Sequence, residues 1–265
     1  MTITLNGTTG ITSPGGDTQA ADTTINGLTV GRGAGDVSSN TAVGESALAA
    51  NTSGGGNAAL SRLALVGNTT GNDNTSAGNS SLQYNTTGSS NTAFGSQALH
   101  TNTTASRNSA LGYQSLYSNT TGTFNTGLGA YAGYGITTGT NNTALGDATL
   151  YSTSTGGSNV AVGRSALENN TTASNNTAVG YQAGYSNTTG TQNVFLGRFT
   201  GLFSTSSYNT FVGDTSGYNS TGSYNAFLGW SAGYLVTTGS KNTIIGGYSG
   251  NQGGVDIRTA NNHIV

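Results

Sequence analysis

Apolar and polar positions along this chain follow neither the 3.6-residue period of a helix nor a long strand alternation. They repeat every seventeen residues, the kind of fixed period that marks a solenoid or array. An Asn keeps the count, at Asn40, Asn57, Asn74, Asn91, Asn108, Asn125, Asn142, Asn159, Asn176, Asn193, Asn209, Asn225 and Asn242. The steps are seventeen residues apart from two of sixteen, which follow Asn193 and Asn209. With this Asn as position zero, position +3 is apolar in all thirteen copies, from Val43 to Ile245. Position +4 is Gly in all but one, Ser61 being the exception, and position +7 is always Ala, Ser or Thr. Most copies close on a second turn signal such as Asn85-Thr-Thr-Gly88.

Gly and Asn at this frequency would break a helix. Each copy therefore reads as one coil of a flattened β-solenoid, with two turns and two short straight segments such as Thr92-Ala93-Phe94. The predicted fold is all-β, thirteen coils of about seventeen residues between residues 39 and 254. A segment of residues 1–38 precedes them and a terminal strand of residues 255–265 follows. At the strand spacing of ~4.8 Å the coils span roughly 60 Å. Stacking superposes like residues, so the thirteen Asn form a predicted ladder with amides bonded along the axis. Gly at +4 supplies either an unusual backbone conformation or room for close approach.

Volumes are exchanged within the repeat. Where position +8 is Leu (Leu48, Leu65, Leu82, Leu99, Leu116, Leu150, Leu167), position +2 is Ala or Ser. The last four copies carry Gly201, Gly217, Gly233 and Gly250 at +8 and Phe195, Phe211, Phe227 and Ile244 at +2. A close-packed interior requires such an exchange, so +2 and +8 are predicted to share one space. Gly133 and Gly184 stand outside the rule, and Tyr134 and Tyr185 at +9 are predicted to fold over them. Positions +2 and +3 point to opposite faces of a strand, and both are usually apolar. One face fills the coil and the other needs a cover that nothing else in the chain supplies. The expectation is a homo-oligomer, a parallel homotrimer about a long axis. The pattern fits a roll that each chain forms alone and three chains wound together equally well.

Composition narrows the function. Of 265 residues 44 are Gly, only 6% are charged, and the net charge is −2. The seven Lys and Arg are scattered, which excludes a basic nucleic-acid surface. Cys is absent, so there is no disulfide framework and no thiolate metal site. No apolar run is long enough to span a membrane, and the N-terminal stretch lacks the pattern of a secretory signal. Catalysis has little to work with: the two His, His100 and His263, are far apart in sequence and no Gly-x-Ser-x-Gly elbow occurs. No enzyme activity, cofactor or metal is expected.

Aromatic residues begin only at Tyr84 and form a column at +9 that includes Tyr117, Tyr134, Tyr151, Tyr185, Tyr218 and Tyr234. Trp230 stands at +5, a turn position that elsewhere holds charged residues such as Glu45, Arg62, Asp147, Arg164, Arg198 and Asp214. Packing explains most aromatic columns. A receptor or glycan contact by Trp230, Tyr218, Tyr234 and Tyr248 is the functional alternative. The Thr column at +1 (Thr41, Thr75, Thr92 and onwards) could match an ice lattice, but Ala58, Val160, Val194 and Ala226 interrupt it.

The units Asn91-Thr-Ala-Phe-Gly-Ser-Gln-Ala-Leu and Asn176-Thr-Ala-Val-Gly-Tyr-Gln-Ala-Gly-Tyr resemble repeats of phage tail-fibre proteins. They are also similar to the shorter head repeats of trimeric autotransporter adhesins, which form left-handed parallel β-rolls. The opening Leu5-Asn-Gly-Thr-Thr-Gly-Ile-Thr-Ser-Pro-Gly-Gly-Asp-Thr-Gln resembles the N-terminal segments of tail fibres, those of cyanophages in particular. The closing Val255-Asp-Ile-Arg-Thr-Ala-Asn-Asn-His-Ile-Val resembles the strand leading into a fibre's C-terminal region. The resemblance implies an extracellular virion component: a homotrimeric shaft joined through its N-terminus to a baseplate or tail protein and reaching a host-surface glycan or protein. A trimeric bacterial surface adhesin is the alternative it leaves, with no membrane anchor or coiled-coil stalk in this sequence to support it. A receptor-binding tip would be a further domain or another protein.

Overall fold

The computed structural model describes residues 28–265 and the strand segments Leu5–Asn6, Gly10–Ile11 and Thr23–Ile25. Most of the segment expected to attach to a virion, residues 1–38, lies outside the described residues. Leu5–Asn6 (β1) and Gly10–Ile11 (β2) pair antiparallel. Thr23–Ile25 (β3) and Leu28–Gly31 (β4) form a second antiparallel pair. One three-residue strand per coil then follows, thirteen in all, from β5 (Thr41–Val43) to β17 (Thr243–Ile245). No α-helix occurs among the described residues.

The architecture is an all-β solenoid in which each coil pairs with the next of the same chain. Strands β5 to β17 are parallel and in strict register, Thr92 opposite Ser109, Ala93 opposite Ala110 and Phe94 opposite Leu111. The register survives both sixteen-residue coils, where Phe195 pairs with Phe211 and Phe211 with Phe227. The missing residue comes from the second turn, which reads Ser204-Thr-Ser206 and Ser220-Thr-Gly222 in place of Asn187-Thr-Thr-Gly190.

Only one of the two expected straight segments is a strand. Across the coil, the segment that begins at position +11 is a run of bends held by a different ladder. There the Thr69 backbone N–H and Oγ1 both donate to the Thr86 carbonyl, at 2.9 and 3.0 Å. The same pattern recurs at Thr86 and Thr103 with the Thr one coil on. The hydroxyl supplies a bond that a regular strand would take from its backbone.

The Asn of position zero form a buried column. Asn74 Oδ1 accepts the Asn91 backbone N–H at 3.0 Å, and Asn91 Nδ2 donates to the Ala105 carbonyl across the coil at 2.8 Å. Direct amide-to-amide bonds supplement these, such as Asn91 Nδ2 to Asn74 Oδ1 at 3.2 Å. The axial bond thus runs chiefly from backbone to side chain. A second Asn column at +11, whose Asn-Thr-Thr-Gly context has the wording of a turn, stacks amide on amide. Asn68 donates to Asn51, Asn85 to Asn68, Asn102 to Asn85 and Asn119 to Asn102, at 2.7–3.0 Å. Both columns converge on the carbonyl at +14: Asn74 and Asn85 both donate to Gly88, each at 2.9 Å. Buried polar groups are tolerated when paired in this way.

Position +4 uses both properties of glycine. Gly95 has φ +130°, and a Cβ there would lie 2.4 Å from the Gly112 carbonyl oxygen of the next coil.

The core lies between +2 and +8. Leu48, Leu65, Leu82, Leu99, Leu116, Leu150 and Leu167 are fully buried, as are Phe195, Phe211 and Ile244. In the late coils the Phe ring occupies the space of the Leu: a Cβ on Gly201 would lie 2.5 Å from Phe195, and one on Gly217 2.3 Å from Phe211. The two exceptions are filled differently from the expectation. Beside Gly133 stand Leu116 and Ile136, and beside Gly184 stand Phe195 and Leu167. Tyr134 stacks instead on Tyr117 and Tyr151, along the axis rather than inward.

Both ends of the sheet are covered. β4 pairs antiparallel with β5, Val30 opposite Val43. The expected terminal strand is two separate pieces. Asn251–Gln252 (β18) and Val255–Asp256 (β19) form a hairpin whose turn residues, Gly253 and Gly254, have φ of +61° and +87°. Such two-residue turns favour glycine for this reason. Farther on, His263 to Val265 lie parallel to β17, with the Ile245 N–H donating to the Val265 carbonyl at 2.9 Å. The His263 N–H donates to Asn242 Oδ1 at 2.9 Å, taking the place of a fourteenth Asn.

Candidate functional site

Three surfaces bear on function. The first is the outer face of the sheet. In every coil strand position +2 is buried while +1 and +3 face outward, so the strand is covered on one side only. Leu60, Phe94, Leu111, Leu128, Val179, Leu228 and Ile245 are exposed on the +3 line, Leu111 by 50%. The Thr column of +1 runs beside this apolar line, on the same face. Two apolar grooves of about 210 and 220 Å³ lie on the face, one lined by Val212, Leu228 and Ile245 and the other by Phe94, Leu111 and Leu128.

The second surface is the corner at +5 and the aromatic columns near it. Opposite charges from neighbouring coils meet there: Arg62 and Glu45 at 3.1 Å, Arg164 and Asp147 at 3.5 Å, Arg198 and Asp214 at 2.9 Å. These pairs are exposed, so each adds little stability. At +9 the rings of His100, Tyr117, Tyr134 and Tyr151 stack nearly parallel at 4.9–5.2 Å. Desolvation and neighbouring phenols raise the Tyr134 pKa above the usual tyrosine value. His100 Nε2 donates to Gln83 Oε1 at 3.1 Å, and burial lowers the His100 pKa. Each ring in such a stack covers its neighbour's face, leaving mainly edges for a ligand.

The third surface lies around the last two coils. Tyr218 and Tyr234 stack at 4.9 Å, again face to face. Trp230 makes no ring contact of this kind among the described residues and is 71% exposed. Its neighbour at +5 in the next coil is Gly247, which leaves a cleft of about 300 Å³. Trp230, Tyr234, Leu235, Gly247, Ser249 and Gln252 line it. Of the four residues predicted for host contact, Trp230 and Tyr234 share the cleft and Tyr218 stacks behind Tyr234. Tyr248 lies apart, its hydroxyl donating to the Val255 carbonyl at 2.6 Å and tying down the hairpin that carries Gln252. Leu235, Ser249 and Gln252 were missed by sequence reasoning: Leu235 and Ser249 occupy ordinary repeat positions, and Gln252 reaches the corner through a hairpin that breaks the repeat.

The Arg258 guanidinium holds Asp256, at the far end of that hairpin, at a pKa of about 2. Among the described residues no group of three or more His, Cys, Asp or Glu is placed to hold a metal ion. No helix among them is long and apolar enough to cross a membrane. Against known protein families, curated proteins and solved structures, the chain has no match.

Proposed function

We propose that this chain is a shaft segment of a parallel homotrimeric fibre, of the kind with which phage tail fibres link a virion to its host, and that its role is structural rather than enzymatic. In this reading the N-terminal residues join a baseplate or tail protein, and the aromatic end of the rod, exposed outside the cell, faces the host surface. The observation that carries it is the outward apolar line at +3, one side chain per coil over thirteen coils. An apolar patch this long on a single chain signals a covered surface. A partner can cover every rung equally only if its own side chains repeat at the same spacing, and another copy of this chain does. The grooves beside Leu111 and Leu228 are of a size to accept such side chains. Three copies, rather than two, follow from the resemblance to tail-fibre repeats.

Light scattering tests this reading. The expected mass is about 79 kDa, three times the chain's 26.3 kDa. Leu111→Lys combined with Leu128→Lys should shift the chain to monomer, since covering each Leu contributes roughly 1.5–3 kcal/mol. A native wild-type monomer would overturn the proposal.

A further inference from the structure

We infer that the cleft beside Trp230 binds a neutral hexopyranose chain, stacked on the indole and held by Gln252 and Ser249. This deepens the fibre reading, on which it rests for its biological setting, by naming what the C-terminal end of the rod binds.

The first observation is Gly247. It lacks the positive φ that fixes glycine at +4. A Cβ there would meet only the Trp230 carbonyl oxygen, at 3.7 Å, an ordinary contact. Neither conformation nor packing calls for glycine at this position. Its effect is to leave the indole of Trp230 open on the side where other coils place a side chain, as Asp214 does over Arg198. The second observation is the isolation of the indole: the tyrosine rings nearby cover one another, whereas this ring has no aromatic partner among the described residues. The third is the lining, which joins an aromatic plane and the apolar Leu235 to a carboxamide and a hydroxyl. A few placed polar groups in an otherwise apolar cleft of this size are the usual features of a small-ligand site.

The lining contains no charged group. Neither Arg198 nor Arg258 belongs to the lining, and both are engaged elsewhere, by Asp214 and Asp256. An anionic ligand, a nucleotide for example, would therefore find no counter-charge. A neutral sugar ring fits the whole set: its C–H face packs on the negative face of the indole, and its hydroxyls bond the Gln252 amide and the Ser249 hydroxyl.

Trp230 is the chain's single tryptophan, so emission excited at the red edge of the indole band, where tyrosine does not absorb, reports this cleft alone. Cellohexaose, chitohexaose and maltohexaose serve as neutral probes, with oligogalacturonate as the acidic control. The expected result is a saturable emission change with at least one neutral probe, with a Kd of about 1 mM or tighter. Gly247→Val should weaken it about tenfold or more with an unchanged melting temperature, because the branched side chain occupies the space over the ring. By calorimetry, Trp230→Phe should retain binding within a few-fold and Trp230→Ala should lose it. No saturation with any neutral probe, equal affinity in Gly247→Val, or binding of the acidic oligomer alone would overturn the inference. Light scattering on the same samples reports separately whether the fibre reading stands.

Discussion

At the scale of single residues, the ladder Asn is the most demanding position. Asn91 accepts the Asn108 backbone N–H through Oδ1 at 3.0 Å and donates through Nδ2 to Ala105 and Asn74, all out of contact with water. Asn91→Ala leaves the Asn108 N–H without an acceptor and should cost about 1–3 kcal/mol. Asn91→Asp should cost more at neutral pH, because a buried carboxylate would face two oxygens and could donate to neither. The aspartate variant should regain stability as pH falls, once a protonated carboxyl can donate. Urea midpoints at pH 4 and pH 8, with amide exchange at Asn108, check both the order and the sign. The position-zero column was legible in the sequence because it is unbroken. The +11 column was not, because Ile136, Thr153, Ser204, Ser220 and Val236 interrupt it and its Asn-Thr-Thr-Gly wording is also that of a turn. Position +8 shows another limit: Leu48 at φ +52° and Gly201 at φ +57° share one conformation, so glycine there reflects space alone.

At the scale of the coil, the exchange between +2 and +8 was legible as compensating volumes, but its third member was not. Ile136 at +11 fills the space beside Gly133, and its arrival leaves Asn119 Oδ1 buried without a partner. The Phe coils carry Ser204 and Ser220 at +11, and Asn187 Oδ1 is orphaned just before them. Packing and ladder thus compete for one position, and a pattern read two columns at a time misses it. Gly133→Leu alone should destabilise, since its Cβ would already stand 2.7 Å from Leu116 and 3.0 Å from Ile136. Ile136→Asn alone restores a donor to Asn119 but opens a hole. Together they rebuild the common coil, so a double-mutant cycle should give a favourable coupling of about 1–3 kcal/mol. Independent effects would show that the three positions do not share one space.

At the scale of the whole molecule, solenoid stability is a sum over neighbouring coils. Deleting the seventeen residues 142–158 removes one coil and stacks Asn125 against Asn159. One residue inserted after Gly146 instead displaces everything between the strand and Leu150. The insertion should lower the melting temperature more than the deletion, as read by circular dichroism. Where the residue enters also matters. The coils that begin at Asn193 and Asn209 already differ in length at the second turn without loss of register. An insertion after Thr155, in that turn, should therefore be tolerated better than one after Gly146. The coil number and the parallel stacking were legible because every copy repeats them. The one-stranded cross-section depends on hydroxyl bonds that repeat with the coils but lie within what reads as a turn signal, and the two-piece C-terminal closure on a hairpin that breaks the period.

The strict register has a kinetic side. Parallel sheets ordinarily fold slowly, because each pairing first closes a long loop. Here a strand finds its partner only seventeen residues away, however many coils the rod contains. That separation in a chain of 265 residues corresponds to a relative contact order of about 0.06, close to that of helical bundles. The rod can therefore assemble rung by rung as the chain emerges, each finished coil serving as the template for the next.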